Sequence, residues 1–371
     1  MRIALISSSY PPTTSGVSIV VQQLAQQLSK LNQQVIVITS NCSSHFQIDH
    51  SQNFIIYRFP AIPNPLRSDH FFPLPSNHKI NSILNQFKPN VIHFHDFSPL
   101  SLSALAFAKK HHLPIVATHH FTQELIFHSF KFTHHPSPSR TKMFFRTLAL
   151  IYNRLQTLIV PSQTIAKRLQ PRLKIPLTII PNGVDTDLFK PESLPKTTDF
   201  LYVGRLDPEK NLPFLLETFK NLKPQPSLTL IGSGTQETRL KKLAGNNSSF
   251  RFLSKQAYSN LPRFYNSARI FITSSVSENN PLTLLEALAC GLPVIAPQAG
   301  GIPDIIDHQF NGLLVEPNNS SSLIKAITQL TSNQTFFRQL SIGARQSALQ
   351  FNLSQFINRH LKLYRQLNLS K

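Results

Sequence analysis

Residues 274–303, SSVSENNPLTLLEALACGLPVIAPQAGGIP, leave little freedom of fold. Phe271 and Ile272 close an apolar strand just before them. Asn280 is a good N-cap, and Pro281 suits the first helical position, where its missing N–H has no intrahelical partner to lose. Leu282, Leu285, Leu288 and Ala289 recur at helical spacing. Gly291 then stops the helix, and residues 293–296 form a short buried strand. Such a strand–loop–helix–strand run belongs to an open α/β sheet covered on both faces. Glu278 stands just before the helix and Glu286 inside it. A helix N-terminus attracts anions, and an ionised glutamate further along only accepts hydrogen bonds, which suits hydroxyls. At a rise of about 1.5 Å per residue, Glu286 lies roughly 7 Å along the axis from Pro281, about the reach from a diphosphate to a ribose. The stretch therefore suggests a clamp for a nucleotide sugar.

The same alternation runs through the rest of the chain, in two series. In the first, residues 2–9 are a buried strand, and the loop YPPTTSGVS ends near Gly16. An amphipathic helix over 18–31 and a strand over 35–39 complete a βαβ unit with a phosphate-type loop at its first turn. Further strands are expected at 54–59, 90–95, 114–118, 158–160 and 177–180. Residues 60–75, AIPNPLRSDHFFPLP with the preceding proline, read as a long Pro-rich loop that could line an acceptor site. Residues 140–154 read as a helix that mixes Arg140, Lys142, Arg146 and Arg154 with an aromatic-rich apolar face. It suits either an anionic membrane or ordinary packing on the sheet. PNGVD at 181–185 is a turn, and the polar, Pro-rich residues 183–198 read as a linker. The second series starts at residue 200, with Gly204-Arg205 after its first strand and Gly232-Ser-Gly234 after its second. Residues 320–369 are expected to be helical throughout.

The 371 residues suffice for two domains, each with its own core. No run approaches the ~18 apolar residues of a membrane span. MRIALISSSY turns polar too soon for a signal peptide and reads as a first strand. Cys42 and Cys290 make no disulfide framework, which points to a cytoplasmic setting. The formal net charge of +20 suits nucleic acid, an anionic membrane or phosphorylated ligands. The cations are spread out and there is no tryptophan, so lipid and phosphate are favoured over nucleic acid.

Several histidines end strands. His93, His95 and Asp96 form HFHD, a metal-like pattern that lacks further ligands on later strands and reads better as structural. His119 ends a strand where open sheets bind ligands, whereas His134 and His135 follow no motif. Arg205 and Lys210 flank a loop after Gly204, where two cations could neutralise a diphosphate leaving group.

Together these pieces resemble the E-x7-E retaining glycosyltransferases of family 4, which have the GT-B fold. The likeness lies in GRLDPEKN at 204–211 and in SENNPLTLLEALACGLPVIAPQAGGIPD at 277–304, with Glu278 and Glu286 eight apart. SYPPTTSGVS, VATHH, PNGVD and GLLVEP fit in the same order, and the HFHDFSPLSLSALAFAKK and ATHHF segments look most like the subset that glycosylates lipids. The resemblance implies two doubly wound Rossmann-like domains facing a cleft. The first would be an acceptor-side domain over 1–182, joined by a C-terminal helix, 353–371, that crosses back to it. The second would be a donor-binding domain over 199–352. It also implies transfer of a hexose from a UDP-sugar, or from GDP-mannose, to a lipid or glycan acceptor at the cytoplasmic membrane face. Glu286 would hold the donor ribose and Glu278 the sugar near the reacting carbon. Arg205 and Lys210 would hold the diphosphate, with Gly204, Gly232 and the backbone around Asn280, Pro281 and Leu282. Gly16 would let the N-terminal loop approach the donor phosphate, and His119 would hydrogen-bond the transferred sugar. No cofactor and no metal are implied. The chain departs from the family pattern at Ser15-Gly16, at Asn279-Asn280-Pro281 and at Ser254, where glycines or an aromatic are usual. A same-fold nucleotide-sugar epimerase or phosphorylase, and a non-catalytic basic binder of membrane or nucleic acid, are the alternatives.

Overall fold

The computed structural model of the protein describes residues 1–13, 15–51, 53–64, 67–121 and 138–369. His134 and His135 lie outside the described residues. The chain divides into two compact units: residues 1–181 with 353–371, and residues 182–352.

The first unit is built on an eight-stranded sheet. Its strands are β1 (Arg2–Ile6), β2 (Gln34–Ser40), β3 (Gln47–Ser51), β4 (Phe54–Phe59), β7 (Val91–Phe94), β8 (Ile115–Thr118), β9 (Thr157–Val160) and β10 (Leu177–Ile179). They lie in the order β10-β9-β8-β7-β1-β2-β4-β3, parallel except for β3 at one edge. Strands β1, β7, β8 and β9 are almost wholly buried, as an α/β sheet covered on both faces requires. Helix α1 (Gly16–Lys30) is capped by Ser15, whose hydroxyl accepts from Ser18 N–H while the Ser18 hydroxyl accepts from Ser15 N–H. Helices α2 (Asn77–Phe87) and α3 (Pro99–Lys110) begin on Ser76 and Ser98, whose hydroxyls accept from the N–H groups of Lys79 and Ser101. Helix α4 (Pro138–Tyr152) buries Phe145, Leu148 and Tyr152 and exposes Arg140, Lys142, Met143, Arg146 and Leu150; α5 (Gln163–Leu169) follows.

One expectation is corrected in this unit. The Pro-rich residues 60–75 are not a loop: β5 (Ala61–Asn64) and β6 (Arg67–Pro73) pair antiparallel as a separate ribbon. Proline is tolerated there because a two-stranded ribbon is all edge, and an edge needs only half of its amide donors. Residues 320–369 form three helices with short breaks between them, the last of them the expected C-terminal helix. They are α10 (Ser320–Ser332), α11 (Gln334–Leu349) and α12 (Leu353–Leu369), and α12 belongs to the first unit.

The second unit is a six-stranded parallel sheet, β13-β12-β11-β14-β15-β16. It is formed by β11 (Thr198–Val203), β12 (Leu228–Ile231), β13 (Phe250–Leu253), β14 (Ala268–Ile272), β15 (Val294–Pro297) and β16 (Gly312–Val315). Helices α6 (Leu212–Lys220), α7 (Glu237–Ala244), α8 (Leu261–Asn266) and α9 (Leu282–Ala289) connect them, with α10 and α11 after the last strand. On one face of the sheet, Phe200, Tyr202, Leu230, Ile270 and Ile295 form a core with Leu215 and Phe219 of α6 and Leu323 of α10. The residues expected to be a linker pack into this unit. Val184 and Phe189 are fully buried, and Val184 N–H donates to the Phe351 carbonyl at 2.8 Å. The Arg345 guanidinium donates to the carbonyls of Thr186, Phe189 and Ala289. That Pro-rich stretch buries large apolar side chains and spends its carbonyls on one arginine, so it behaves as folded chain.

Candidate functional site

In an open parallel sheet, ligands bind outside the carboxyl ends of the strands where the strand order reverses. In the second unit that point lies between β11 and β14, which are neighbours in the sheet although β12 and β13 come between them in the chain. Gly204 and Arg205 leave β11, and Ser274 to Glu278 follow β14. Lys210 and Glu278 meet there, Nζ to Oε1 at 2.6 Å, and both side chains are largely shielded. The sequence separation of 68 residues is closed by the turn before α6. The Ser274 hydroxyl donates to the carbonyls of Lys210 and Asn211 at 2.8 and 3.0 Å. Arg205 is held on the same loop by Asp207, at 2.6 Å, and by Glu209. Asp207 in turn accepts from the amide and hydroxyl of Thr235.

Two glycines permit this geometry. A Cβ at Gly232 would lie 1.8 Å from the Gly204 carbonyl oxygen, so the ends of β11 and β12 approach more closely than any side chain allows. Gly300, with φ of +55°, lies under Glu278: a Cβ there would be 2.2 Å from the Glu278 carbonyl oxygen, which also accepts from Gly301 N–H at 2.8 Å. The Gly-Gly turn therefore supports the backbone that carries Glu278.

Asn280 is not the helix N-cap. Pro281 occupies that position, with no side-chain cap, and α9 starts at Leu282. Asn280 is engaged elsewhere, accepting two hydrogen bonds from Asn182. Its Oδ1 accepts from Asn182 N–H at 2.9 Å, and its carbonyl accepts from Asn182 Nδ2 at 2.7 Å. The PNGVD turn thus fastens the loop ahead of α9, a role that sequence spacing did not disclose. Glu286 lies inside α9, 2% exposed, and its Oε2 accepts from the Tyr265 hydroxyl at 2.7 Å. Burial raises its carboxyl to a pKa of about 7, with hydrogen bonds from Tyr265 and Tyr258 opposing that rise.

In the first unit the order reverses between β1 and β7. Asp96, after β7, accepts from the Ser8 amide and hydroxyl, from Ser98 N–H and from the Ser101 hydroxyl. Four donors make it a structural brace between the two strand ends. His93 contacts Tyr364 Oη at 2.6 Å and Thr118 Oγ1 at 2.8 Å, and His95 Nδ1 lies 2.9 Å from His120 Nε2. Among the described residues no group of three or more His, Cys, Asp or Glu could hold a metal ion. Gly16 opens α1, exposed, with open space where a Cβ would stand. His119 does not face outward: its Nδ1 is 2.5 Å from the Tyr152 hydroxyl and the residue is buried. His120 is the partly exposed histidine of this strand end. Residues 115–118 are buried on both faces, so alternation could not tell the two histidines apart.

Of the expected site residues, Gly204, Arg205, Lys210, Gly232, Glu278, Asn280, Pro281, Leu282 and Glu286 belong to the second unit, and Gly16 and His119 to the first. Asn182, Tyr265 and Tyr258 are additions from the structure. PNGVD was the one sequence signal among them.

Residues 14–188 match the model of Glycosyltransferase Family 4, and residues 184–347 match that of Glycosyl transferases group 1. The alpha-monoglucosyldiacylglycerol synthase of Streptococcus pneumoniae is 27% identical over 336 residues, 85% of this chain and 75% of that protein. Sucrose-phosphate synthase from Thermosynechococcus elongatus superimposes with a TM-score of 0.85 at 22% identity, over all of both chains. The Anabaena protein HepE, solved in complex with UDP, superimposes with a TM-score of 0.78 at 17% identity, over 99% of this chain and 100% of that one. The chain therefore has the GT-B fold and is a glycosyltransferase, made of a family 4 domain followed by a group 1 domain.

Proposed function

We propose that the protein is a retaining glycosyltransferase that moves a hexose from a nucleotide-diphosphate sugar, UDP-linked in preference to GDP-linked, to a lipid or glycan acceptor at the cytoplasmic membrane face. The observation that carries this reading is the Lys210–Glu278 pair at the strand-order reversal of the second unit. A cation and a carboxylate side by side suit the junction of a leaving diphosphate and a sugar carbon that becomes positive as the bond breaks. In this reading Lys210 and Arg205 take up the charge that develops on the diphosphate. The first amides of α9, which have no intrahelical partners, help from the other side. Glu286 accepts from the ribose hydroxyls. Glu278 accepts from the donor sugar beside the reacting carbon. The acceptor hydroxyl attacks on the face that the diphosphate leaves and passes its proton to a departing phosphate oxygen, so no second carboxylate is needed as nucleophile. The cations and the helix N-terminus replace a metal. His119 hydrogen-bonds the transferred sugar in this reading, with the Tyr152 hydroxyl at its Nδ1 holding the ring.

Helix α4 supports a lipid setting. Its exposed face joins Arg140, Lys142 and Arg146 to Met143 and Leu150, each of the last two 66% exposed. Apolar tips flanked by cations suit an anionic bilayer surface. No helix among the described residues is long and apolar enough to cross a membrane. The test is a screen of UDP- and GDP-hexoses against a membrane lipid extract, with EDTA present and products read by mass spectrometry. A hexose-sized mass gain on a lipid supports the reading. Hydrolysis or epimerisation of the donor without transfer would overturn it.

A further inference from the structure

Glu286 is a carboxyl group in an unusually complete enclosure. It sits on α9 with α8 alongside, and Tyr265 on α8 reaches it from a fully buried position. The Tyr265 ring is fixed edge-on against Phe189, at 5.8 Å between centroids, and lies 5.9 Å from Phe271. Phe189 also packs edge-on against Tyr258, at 5.2 Å. The phenol therefore has no freedom to follow the carboxyl group, and the carboxyl group must come to it. The other titratable or charged groups near Glu286 are Tyr258, Cys290 one turn further along α9, and, around Cys290, Arg345 from α11 with Glu192 and Lys196.

We propose that Tyr265 is a positioning residue for nucleotide binding: its hydroxyl occupies Glu286 Oε2 and so turns the other carboxylate oxygen toward the ribose hydroxyls. The proposal rests on the ribose role assigned to Glu286 above. Its physical content is that a buried carboxyl left with only one of its two tyrosine donors, Tyr258, would turn more freely and, in a medium of low polarity, stay protonated to a higher pH. A protonated carboxyl offers ribose a donor where an acceptor is needed. A hydrogen bond to the ionised form counters both tendencies.

The test compares UDP affinity, with GDP in parallel, by isothermal titration between pH 5.5 and 9 for the wild type, Tyr265→Phe and Glu286→Ala. Phenylalanine keeps the ring packing against Phe189 and Phe271, and an unchanged thermal midpoint checks that it does. Loss of the phenol donor should move the pH at which affinity falls upward by about one unit. Affinity at pH 7 should then drop about 5-fold and return toward the wild-type value by about pH 8.5. A ring that merely fills space would leave the Tyr265→Phe profile unchanged, and a loss equal at every pH would likewise overturn the positioning role. If Glu286→Ala abolishes nucleotide binding while the Tyr265→Phe profile overlays the wild type, the positioning role is wrong and the ribose role stands. If Glu286→Ala binds as well as the wild type, or if the wild type binds neither nucleotide, the ribose role fails and the positioning role with it.

Discussion

Gly300→Ala isolates the support under Glu278. The added Cβ would meet the Glu278 carbonyl oxygen at 2.2 Å and its amide nitrogen at 3.0 Å, so one of the two backbones must retreat by about an ångström. Three effects follow. The φ of +55° costs an alanine about 1 kcal/mol. The hydrogen bond from Gly301 N–H to the Glu278 carbonyl is lost or lengthened, about 1 kcal/mol more. The Glu278 carboxylate shifts away from Lys210, and a misplacement of about 1 Å at a reacting centre costs roughly 100-fold in rate. The variant should therefore unfold about 4–8 °C earlier, from about 2 kcal/mol at the slope expected for a unit of this size. Its kcat/KM should fall about 100-fold while UDP affinity, which depends on Glu286, changes little. Thermal melts, isothermal titration and steady-state transfer measure the three quantities. A Gly300→Ala variant with wild-type kcat/KM would show that the turn does not position Glu278 and would remove the structural basis of its assigned role.

Two further outcomes are expected. His93, His95, His119, His120 and His360 are clustered in the first unit, and burial pushes all five below the ordinary value of 6.5, His119 to about 3 and His360 to about 4. Folded pKa values below the unfolded ones mean that the unfolded chain takes up protons the folded unit refuses. Stability is then complete above pH 6.5 and falls as pH drops toward 4, by about 1.4 kcal/mol per pH unit for each histidine concerned. Urea midpoints followed by far-ultraviolet circular dichroism should decline over that window, and a flat profile would contradict the placement of the cluster. Replacing Met143 and Leu150 together by serine should weaken sedimentation with anionic vesicles several-fold without changing UDP affinity, and unchanged sedimentation would remove α4 from the membrane contact.

Much of this architecture was legible because the chain alternates buried strands with amphipathic helices, and a two-sided sheet has few other solutions. The stretch at 274–303 disclosed its strand, helix and second strand directly, since Leu282, Leu285 and Leu288 keep helical spacing and Gly291, at φ +73°, ends the helix. What stayed hidden depended on partners distant in sequence. Asn280 looked like an N-cap because asparagine is a good one. Its actual partner, Asn182, lies 98 residues away and competes successfully for the amide. His119 and His120 follow a strand buried on both faces, so no alternation in the sequence says which of them is the more exposed. The ribbon at 60–75 was obscured by its prolines, which are compatible with strands only when no neighbour needs their amide. Nothing in the sequence marked Tyr265, because a buried tyrosine's hydroxyl partner is not encoded locally.

The central claim is that the Lys210–Glu278 pair is where the donor bond breaks. Single-turnover transfer by Lys210→Ala, with a nucleotide sugar and acceptor from the lipid screen, measures this most directly. A rate at least 100-fold below the wild type, with UDP binding reduced far less, is the expected result, since the lysine acts on charge that appears as the diphosphate leaves. A purified, folded Lys210→Ala protein that transfers sugar at the wild-type rate would contradict the account.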